Sequence, residues 1–274
     1  MLPPGIVGLA EQMAHEAGAL LLERARGPVG GVGTKSSPTD FVSDADRESE
    51  ALLLARLAAE RPDDAVLGEE TGESPGRSGL RWVLDPLDGT TNYLYGFPSW
   101  SVVVAVEDAD GTAAGVVFDP GRGETFLAVR GGGARLNGRP IAVSDAERPD
   151  QALVGTGFSY SAEARLVQAR ALAAILPAVR DIRRAGSAAL DLCWVACGRL
   201  DGFYEGPLKH WDSVAGELMV AEAGGRVSPL PAIDASGDRG VLAAAPGLHD
   251  PLRQIVLGAL RPGDLGRDLQ YTGN

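Results

Sequence analysis

The chain has 274 residues and carries 25 Lys and Arg against 37 Asp and Glu, a formal net charge of −12 at pH 7. At roughly 100–200 residues per domain this is one large domain or two small ones, and the 45% hydrophobic, 23% charged composition excludes disorder over most of the chain. The acidic excess argues against a direct nucleic-acid partner, because phosphate backbones are held by Lys and Arg, and lysine occurs only at Lys35 and Lys209.

The elements follow in chain order. Apolar residues at helical spacing (Ile6, Leu9, Met13, Ala17, Leu20, Leu21) predict a helix over 5–26, ended by Gly27-Pro28. The glycine-rich stretch Gly30-Gly31-Val32-Gly33 is no nucleotide loop, since Thr34 separates its last glycine from Lys35. Ser43 caps a second helix to about Glu60, with Asp46 three positions on. Short strands are predicted at Val66-Leu67 and Trp82-Val83-Leu84, then over 101–106, 114–118 and 125–129, with a hairpin signal at Asn137-Gly138. After residue 145 strands (152–155, 202–204, 240–245) alternate with helices (162–179, 187–197, 212–223, 250–260). This divides the chain into an N-terminal α+β subdomain, 1–145, a C-terminal α/β subdomain, 146–262, and a tail, 263–274, expected to fray. Cys193 and Cys197 read as packing residues. No run approaches the ~18 apolar residues of a membrane span, and Glu11 and His15 interrupt an N-terminus that has no basic leader. A cytoplasmic protein with no membrane contact is expected.

The chemistry concentrates in Trp82 to Asn92. An apolar strand delivers Asp85, Pro86 stiffens the exit, and Asp88 follows, so that a proline turn at the strand end would bring both carboxylates to one side. Gly89-Thr90-Thr91 then offers backbone N–H groups of the kind that hold anions. Hard cations take oxygen ligands, and Mg²⁺ is typically held by a few carboxylates together with substrate phosphate and water. Gly68-Glu69-Glu70 places further acids at a strand end, where alternation lets only one glutamate face a given site. Asp212 opens a later helix and reads equally as a ligand or as an N-cap. The Asp-x-x-Asp spacing is not that of phosphatases with an Asp-x-Asp nucleophile.

These segments together resemble the inositol monophosphatase family of Mg²⁺-dependent phosphatases. The resemblance rests on Asp85-Pro86-Leu87-Asp88-Gly89-Thr90-Thr91-Asn92-Tyr93, on Trp211-Asp212-Ser213-Val214-Ala215-Gly216-Glu217-Leu218 with Glu222-Ala223-Gly224-Gly225, and on Gly68-Glu69-Glu70. Lys35 to Asp46, Arg183-Arg184-Ala185-Gly186-Ser187-Ala188-Ala189 and Gly202-Phe203-Tyr204-Glu205 are similar too, all in family order. It implies an α+β fold layered α-β-α-β-α and a homodimer. It implies two or three Mg²⁺ held by Glu69, Asp85, the Leu87 carbonyl, Asp88 and Asp212, with Asp85 bridging two ions and Glu70 not ligating. Asp46 and Thr90, with Glu69, would orient and deprotonate the attacking water. Gly89, Thr90 and Thr91 would cradle the phosphate, while Glu205, Gly186, Ser187 and Ala188 would line the substrate wall.

The charges of this set agree with that implication. Four carboxylates and Asp46 would repel a phosphate monoester dianion unless cations reversed the field, and the chemistry expected is metal-assisted in-line displacement without a covalent intermediate. Glu205 favours a polyol, since a carboxylate accepts from hydroxyls, and would equally welcome an ammonium. The expected substrate is inositol monophosphate, ahead of histidinol phosphate, then fructose 1,6-bisphosphate or NADP. Lithium sensitivity belongs to the same family expectation, and a non-catalytic, transcription-associated binding role is the alternative of a different class. His210 reads as a rim residue, Val214 as a residue narrowing the wall behind Asp212, and Lys35 as either a mouth cation for substrate or a solvated linker residue.

Overall fold

The structure is a computed structural model that describes residues 2–27, 30–35 and 41–260. The chain runs α1 (Ile6–Arg24), β1 (Gly33–Thr34), β2 (Phe41–Val42), α2 (Asp44–Glu60), β3 (Ala65–Gly68), β4 (Gly72–Ser74), β5 (Arg81–Asp88), α3 (Thr90–Leu94), β6 (Ser101–Asp108), β7 (Gly111–Asp119), β8 (Glu124–Val129), β9 (Gly133–Leu136) and β10 (Arg139–Pro140). It continues with β11 (Leu153–Thr156), α4 (Ala162–Ile175), β12 (Asp181–Arg183), α5 (Ala188–Ala196), β13 (Gly202–Glu205), α6 (His210–Glu222), β14 (Arg226–Leu230), β15 (Gly240–Ala244) and α7 (Pro246–Ala259). The tail 263–274 and the segment Ser36 to Asp40 lie outside the described residues.

Two sheets carry the fold. The larger has eight strands in the order β10-β9-β8-β7-β6-β5-β3-β4, antiparallel except where β3 runs parallel to β5. The smaller has five, β12-β11-β13-β15-β14, with β11 parallel to both β12 and β13. Side chains alternate along their strands and so face different layers. Trp82, Leu84, Val102, Val104 and Val106 face α1 and α2, packing on Leu9, Met13, Leu21 and Leu53. Val83, Val103, Ala105 and Val117 point the other way, onto Leu190 and Leu192 of α5 and Ala215 and Met219 of α6, a layer that also receives Phe203 and Ala243 from the smaller sheet. The far face of that sheet buries Val154 and Leu242 against Ile175 of α4 and Leu248 and Leu252 of α7. The result is the expected α-β-α-β-α stack. Each fully buried aliphatic side chain contributes about 1.5–3 kcal/mol of transfer free energy, and β5, β6 and β7 are nearly saturated with them.

Several boundaries differ from the sequence expectation for identifiable reasons. The helix after residue 162 stops at Ile175 and tightens into a 3₁₀ turn at Leu176–Ala178, because Pro177 cannot donate the next helical bond. α6 starts at His210, two residues early, which makes Asp212 its third residue rather than its N-cap. β4, β12 and β14 are short or polar strands that periodicity did not mark. Asn137 and Gly138 do turn the β9–β10 hairpin, both with positive φ (49° and 77°). No helix among the described residues is long and apolar enough to cross a membrane.

One close approach links sheet to site. At Gly115 on β7 an added Cβ would stand 3.0 Å from both Cα and Cβ of Ala215, so the absent side chain is what lets α6, the helix carrying Asp212, lie flat on the larger sheet. Gly115→Val is expected to cost about 1–3 kcal/mol by overpacking this contact. An unchanged midpoint in urea unfolding would contradict the packing described.

Candidate active site

The site forms where β5 ends, between the N-termini of α3, α5 and α6. Along β5 the alternation sends Val83 toward α5 and α6, and Asp85 continues on that face. Three residues on, Asp88 would point to the opposite side of a regular strand. It does not, because the pairing of β5 with β6 slips between Asp85 and Asp88. This irregularity turns Leu87 into the α1/α2 core and Asp88 back toward α5. The two acids do share a side as the sequence suggested, but through a bulge within the strand rather than a proline turn after it. Ser49 of α2 donates from Oγ to the Pro86 carbonyl at 2.9 Å and fixes the bulge.

Asp88 is the most tightly held acid. Its Oδ2 accepts from Ser187 Oγ at 2.5 Å and from the Ala189 N–H at 3.0 Å, at the start of α5. Burial raises its pKa to about 6 even so, against the pull of those donors. Asp85 Oδ1 accepts from the Leu87 N–H at 3.0 Å. Burial, then the charges of Glu69, Asp88 and Asp212, push its carboxyl well above the usual range. Asp212, whose Oδ2 takes the Lys209 N–H at 2.8 Å, is raised by burial and by Glu69 and Asp88. Burial raises Glu69 to about 7 despite Lys35. Four carboxylates from β5, the β3–β4 turn and α6 therefore press on one another electrostatically.

Lys35 is not a solvated linker residue. Its Nζ donates to Glu69 Oε1 at 2.7 Å and also pairs with Glu70. Both glutamates lie beyond the end of β3, so alternation does not separate them. His210 pairs with Glu107 at 2.8 Å and is half exposed, as a rim residue would be. Val214 is buried in the core between α5 and α6, and Cys193 is buried in the same layer.

One face of α2 organises the site from behind, and sequence reasoning found only its first member. Asp46 accepts from Ser43 N at 2.9 Å and Ser43 Oγ at 2.6 Å through Oδ2, while its Oδ1 takes the Thr90 hydroxyl at 2.9 Å. Thr90 Oγ1 is also 3.1 Å from the Leu87 carbonyl. Glu50, almost fully buried, accepts from the Glu70 and Thr71 N–H groups and from Thr71 Oγ1, and so shapes the turn that presents Glu69. Asp46, Ser49 and Glu50 stand on the stripe that continues to Leu53 and Leu57. Polar residues in a core-facing stripe were the available signal. Asn92 is a second omission: its Nδ2 donates to the carbonyls of Ser99 (2.6 Å) and Ala185 (2.7 Å), tying the Gly89–Thr91 turn to the loop that carries Gly186, Ser187 and Ala188. Gly89 itself sits at φ 90°, with Ser99 and Gly186 carbonyls where a side chain would go. Glu205, at the end of β13, is raised to about 7 by burial with Arg184 opposing.

Carboxylate oxygens and a backbone carbonyl are the donor set that suits a hard divalent cation. Among the described residues, no three such side chains are drawn close enough to enclose an ion as they stand. Their oxygens are turned instead onto Lys35, Ser187, Leu87 N and Lys209 N. The residues fit the ion by chemistry, as oxygen donors whose charges bear on one another.

The chain is similar to known proteins over nearly its whole length. The sequence matches the inositol monophosphatase family over residues 6–256. Inositol-1-monophosphatase SuhB of Mycobacterium tuberculosis is 43% identical over 270 residues, 91% of this chain and 92% of that protein. The Nus factor SuhB of Escherichia coli is 39% identical over 225 residues, 81% and 84% of the two chains. Among solved structures, extragenic suppressor protein suhB from Bartonella henselae superposes with a TM-score of 0.86 at 36% identity, covering 92% of this chain and 98% of its own. Mycobacterium tuberculosis SuhB gives 0.80 at 38%, covering 94% and 99%. This chain belongs to the inositol monophosphatase family, generally metal-dependent phosphoric monoester hydrolases.

Proposed function

We propose that this chain hydrolyses a small polyol phosphate, inositol monophosphate first, in a Mg²⁺-dependent reaction without a covalent intermediate. The observation that carries this reading is the convergence of Glu69, Asp85, Asp88 and Asp212, each with its pKa raised by burial and, for Asp85 and Asp212, by the others. Such a cluster is stable in ionised form only with cations among its members. Two or three Mg²⁺, held by these four side chains and the Leu87 carbonyl, would supply an acidified water and neutralise charge on the leaving oxygen.

The chain's own groups do the rest. With the Thr90 hydroxyl donating to Asp46, its oxygen would take a proton from the attacking water as Asp46 receives the hydroxyl proton. The same donation leaves the Leu87 carbonyl unshared. Gly89, Thr90 and Thr91 follow Asp88 directly and would hold the phosphate. Glu205 with Gly186, Ser187 and Ala188 would form the wall for the leaving group, where a carboxyl that ionises at about 7 both accepts from and donates to hydroxyls. The same wall would accept the ammonium of histidinol phosphate, the second choice. Family likeness supports a homodimer working in the cytoplasm. A binding role is favoured by one further observation, the name Nus factor carried by relatives such as that of Escherichia coli. Capture of a transcription-complex partner equally well by wild type and Asp85→Asn would support it.

Phosphate release in Mg²⁺ is expected to be faster from inositol 1-phosphate than from histidinol phosphate at equal concentration, and to be abolished in Asp85→Asn. Preference for histidinol phosphate would replace the polyol reading, and wild-type turnover by the variant would end the metal assignment. A second expectation concerns pH. Glu205 is raised from 4.5 to about 7 on folding, so between those values the folded chain keeps a proton that the unfolded chain has lost. Stability of the metal-free protein therefore falls as pH rises through that window. Thermal unfolding in chelator should show a shallower fall for Glu205→Gln; equal slopes would contradict the burial of Glu205.

A further inference from the structure

Asp191 is a buried acid that the mechanism above does not use. It stands on the first turn of α5, fully inaccessible, among Leu190, Leu192 and Cys193, all equally buried. Neither of its carboxyl oxygens has a hydrogen-bond partner among the described residues. An orphaned buried carboxyl costs stability, and its surroundings show where it is aimed.

Two glycines mark the place. A Cβ on Gly155 of β11 would come within 3.4 Å of Asp191 Oδ1, and a Cβ on Gly157 would lie 2.0 Å from the Glu205 carboxylate oxygens. Gly155 and Gly157 are two residues apart, hence on one face of the extended chain and roughly 7 Å from each other. β11 pairs with β13, which ends in Glu205. The two acids therefore lie on the α5 side of the smaller sheet, Asp191 over Gly155, where Leu200 and Phe203 also pack, and Glu205 over Gly157. After burial itself, the Glu205 charge is the largest influence holding the Asp191 carboxyl above its ordinary range; Asp88 adds to it and Arg184 opposes it.

We propose that Asp191 is a positioning residue that acts through Glu205, the inner carboxyl of an acid pair that fixes how the outer one meets the hydroxyls of the leaving group. The proposal rests on the reading of Glu205 as a substrate contact. Its core, the coupling of the two acids, does not require any particular substrate.

The test is a double-mutant cycle with Asp191→Asn and Glu205→Gln, read two ways. In thermal unfolding of the chelator-treated protein at pH 8, Asp191→Asn is expected to raise the midpoint. Part of that gain should vanish in the Glu205→Gln background, because the repelling charge is already gone while the burial remains. In kinetics, Asp191→Asn should raise KM for inositol 1-phosphate roughly fivefold to tenfold, the loss of one good polar contact, with kcat little changed. Turnover of p-nitrophenyl phosphate, which offers Glu205 no hydroxyl, should stay within about twofold of wild type. Additive midpoints overturn the pairing. Coupled midpoints with equal effects on both substrates overturn the positioning role. If wild type cleaves p-nitrophenyl phosphate but not inositol 1-phosphate, the substrate reading fails. The positioning role is then judged with histidinol phosphate, and with neither ester cleaved it is rejected.

Discussion

Like charges held together are the constraint on which this structure depends. Asp85, Asp88, Asp212 and Glu69 come from three separate segments, and no flexible chain would keep them adjacent in their ionised forms. Rigid backbone does so. The slip in β5 faces Asp85 and Asp88 the same way, the start of α5 grips Asp88, and α6 lies close on the larger sheet across Gly115. The apolar layers on either side of β5 supply the stability that this arrangement consumes. Lys35, seated against Glu69 and Glu70, supplies one positive charge at the edge of the cluster.

The same logic of spending core positions on polar groups recurs on α2 and at the leaving-group wall. Asp46, Ser49 and Glu50 occupy a helical stripe that would otherwise be apolar, and each one fixes a separate part of the site: Thr90, the bulge at Pro86, and the turn before β4. Asn92 clamps the loop after β5 to the loop before α5. Asp191 lies over Gly155 of β11 and Glu205 over Gly157 just after it. Functional side chains are thereby set on helices and strands, with the connecting turns pinned by buried hydrogen bonds.

Much of this was legible in the sequence because it is local. The spacing of Asp85 and Asp88, the Ser43 cap, the Asn137-Gly138 hairpin and the alternation of strands with helices after residue 145 are all patterns within a few residues. The family resemblance supplied the layer order, which the residue patterns alone did not. What escaped was set by tertiary contact. Lys35 had no sequence partner that marked it for Glu69 and Glu70, 34 residues or more away. The bulge in β5 shows only against its neighbour β6, and β12 and β14 are strands by virtue of the strands beside them. Asp191 drew no attention in the sequence, and only packing shows that nothing among the described residues satisfies it.

The central claim is that the acid cluster is strained without cations and relieved by them. Thermal unfolding of chelator-treated wild type and Asp85→Asn, each with and without Mg²⁺, tests it most directly. An asparagine keeps the acceptor for the Leu87 N–H and removes one charge. The expected result is that Asp85→Asn is the more stable protein in chelator and responds little to Mg²⁺. Wild type should gain about 2.7 kcal/mol when Mg²⁺ reaches a hundred times its dissociation constant. A variant that is less stable than wild type in chelator, or that gains as much from Mg²⁺, would contradict the account.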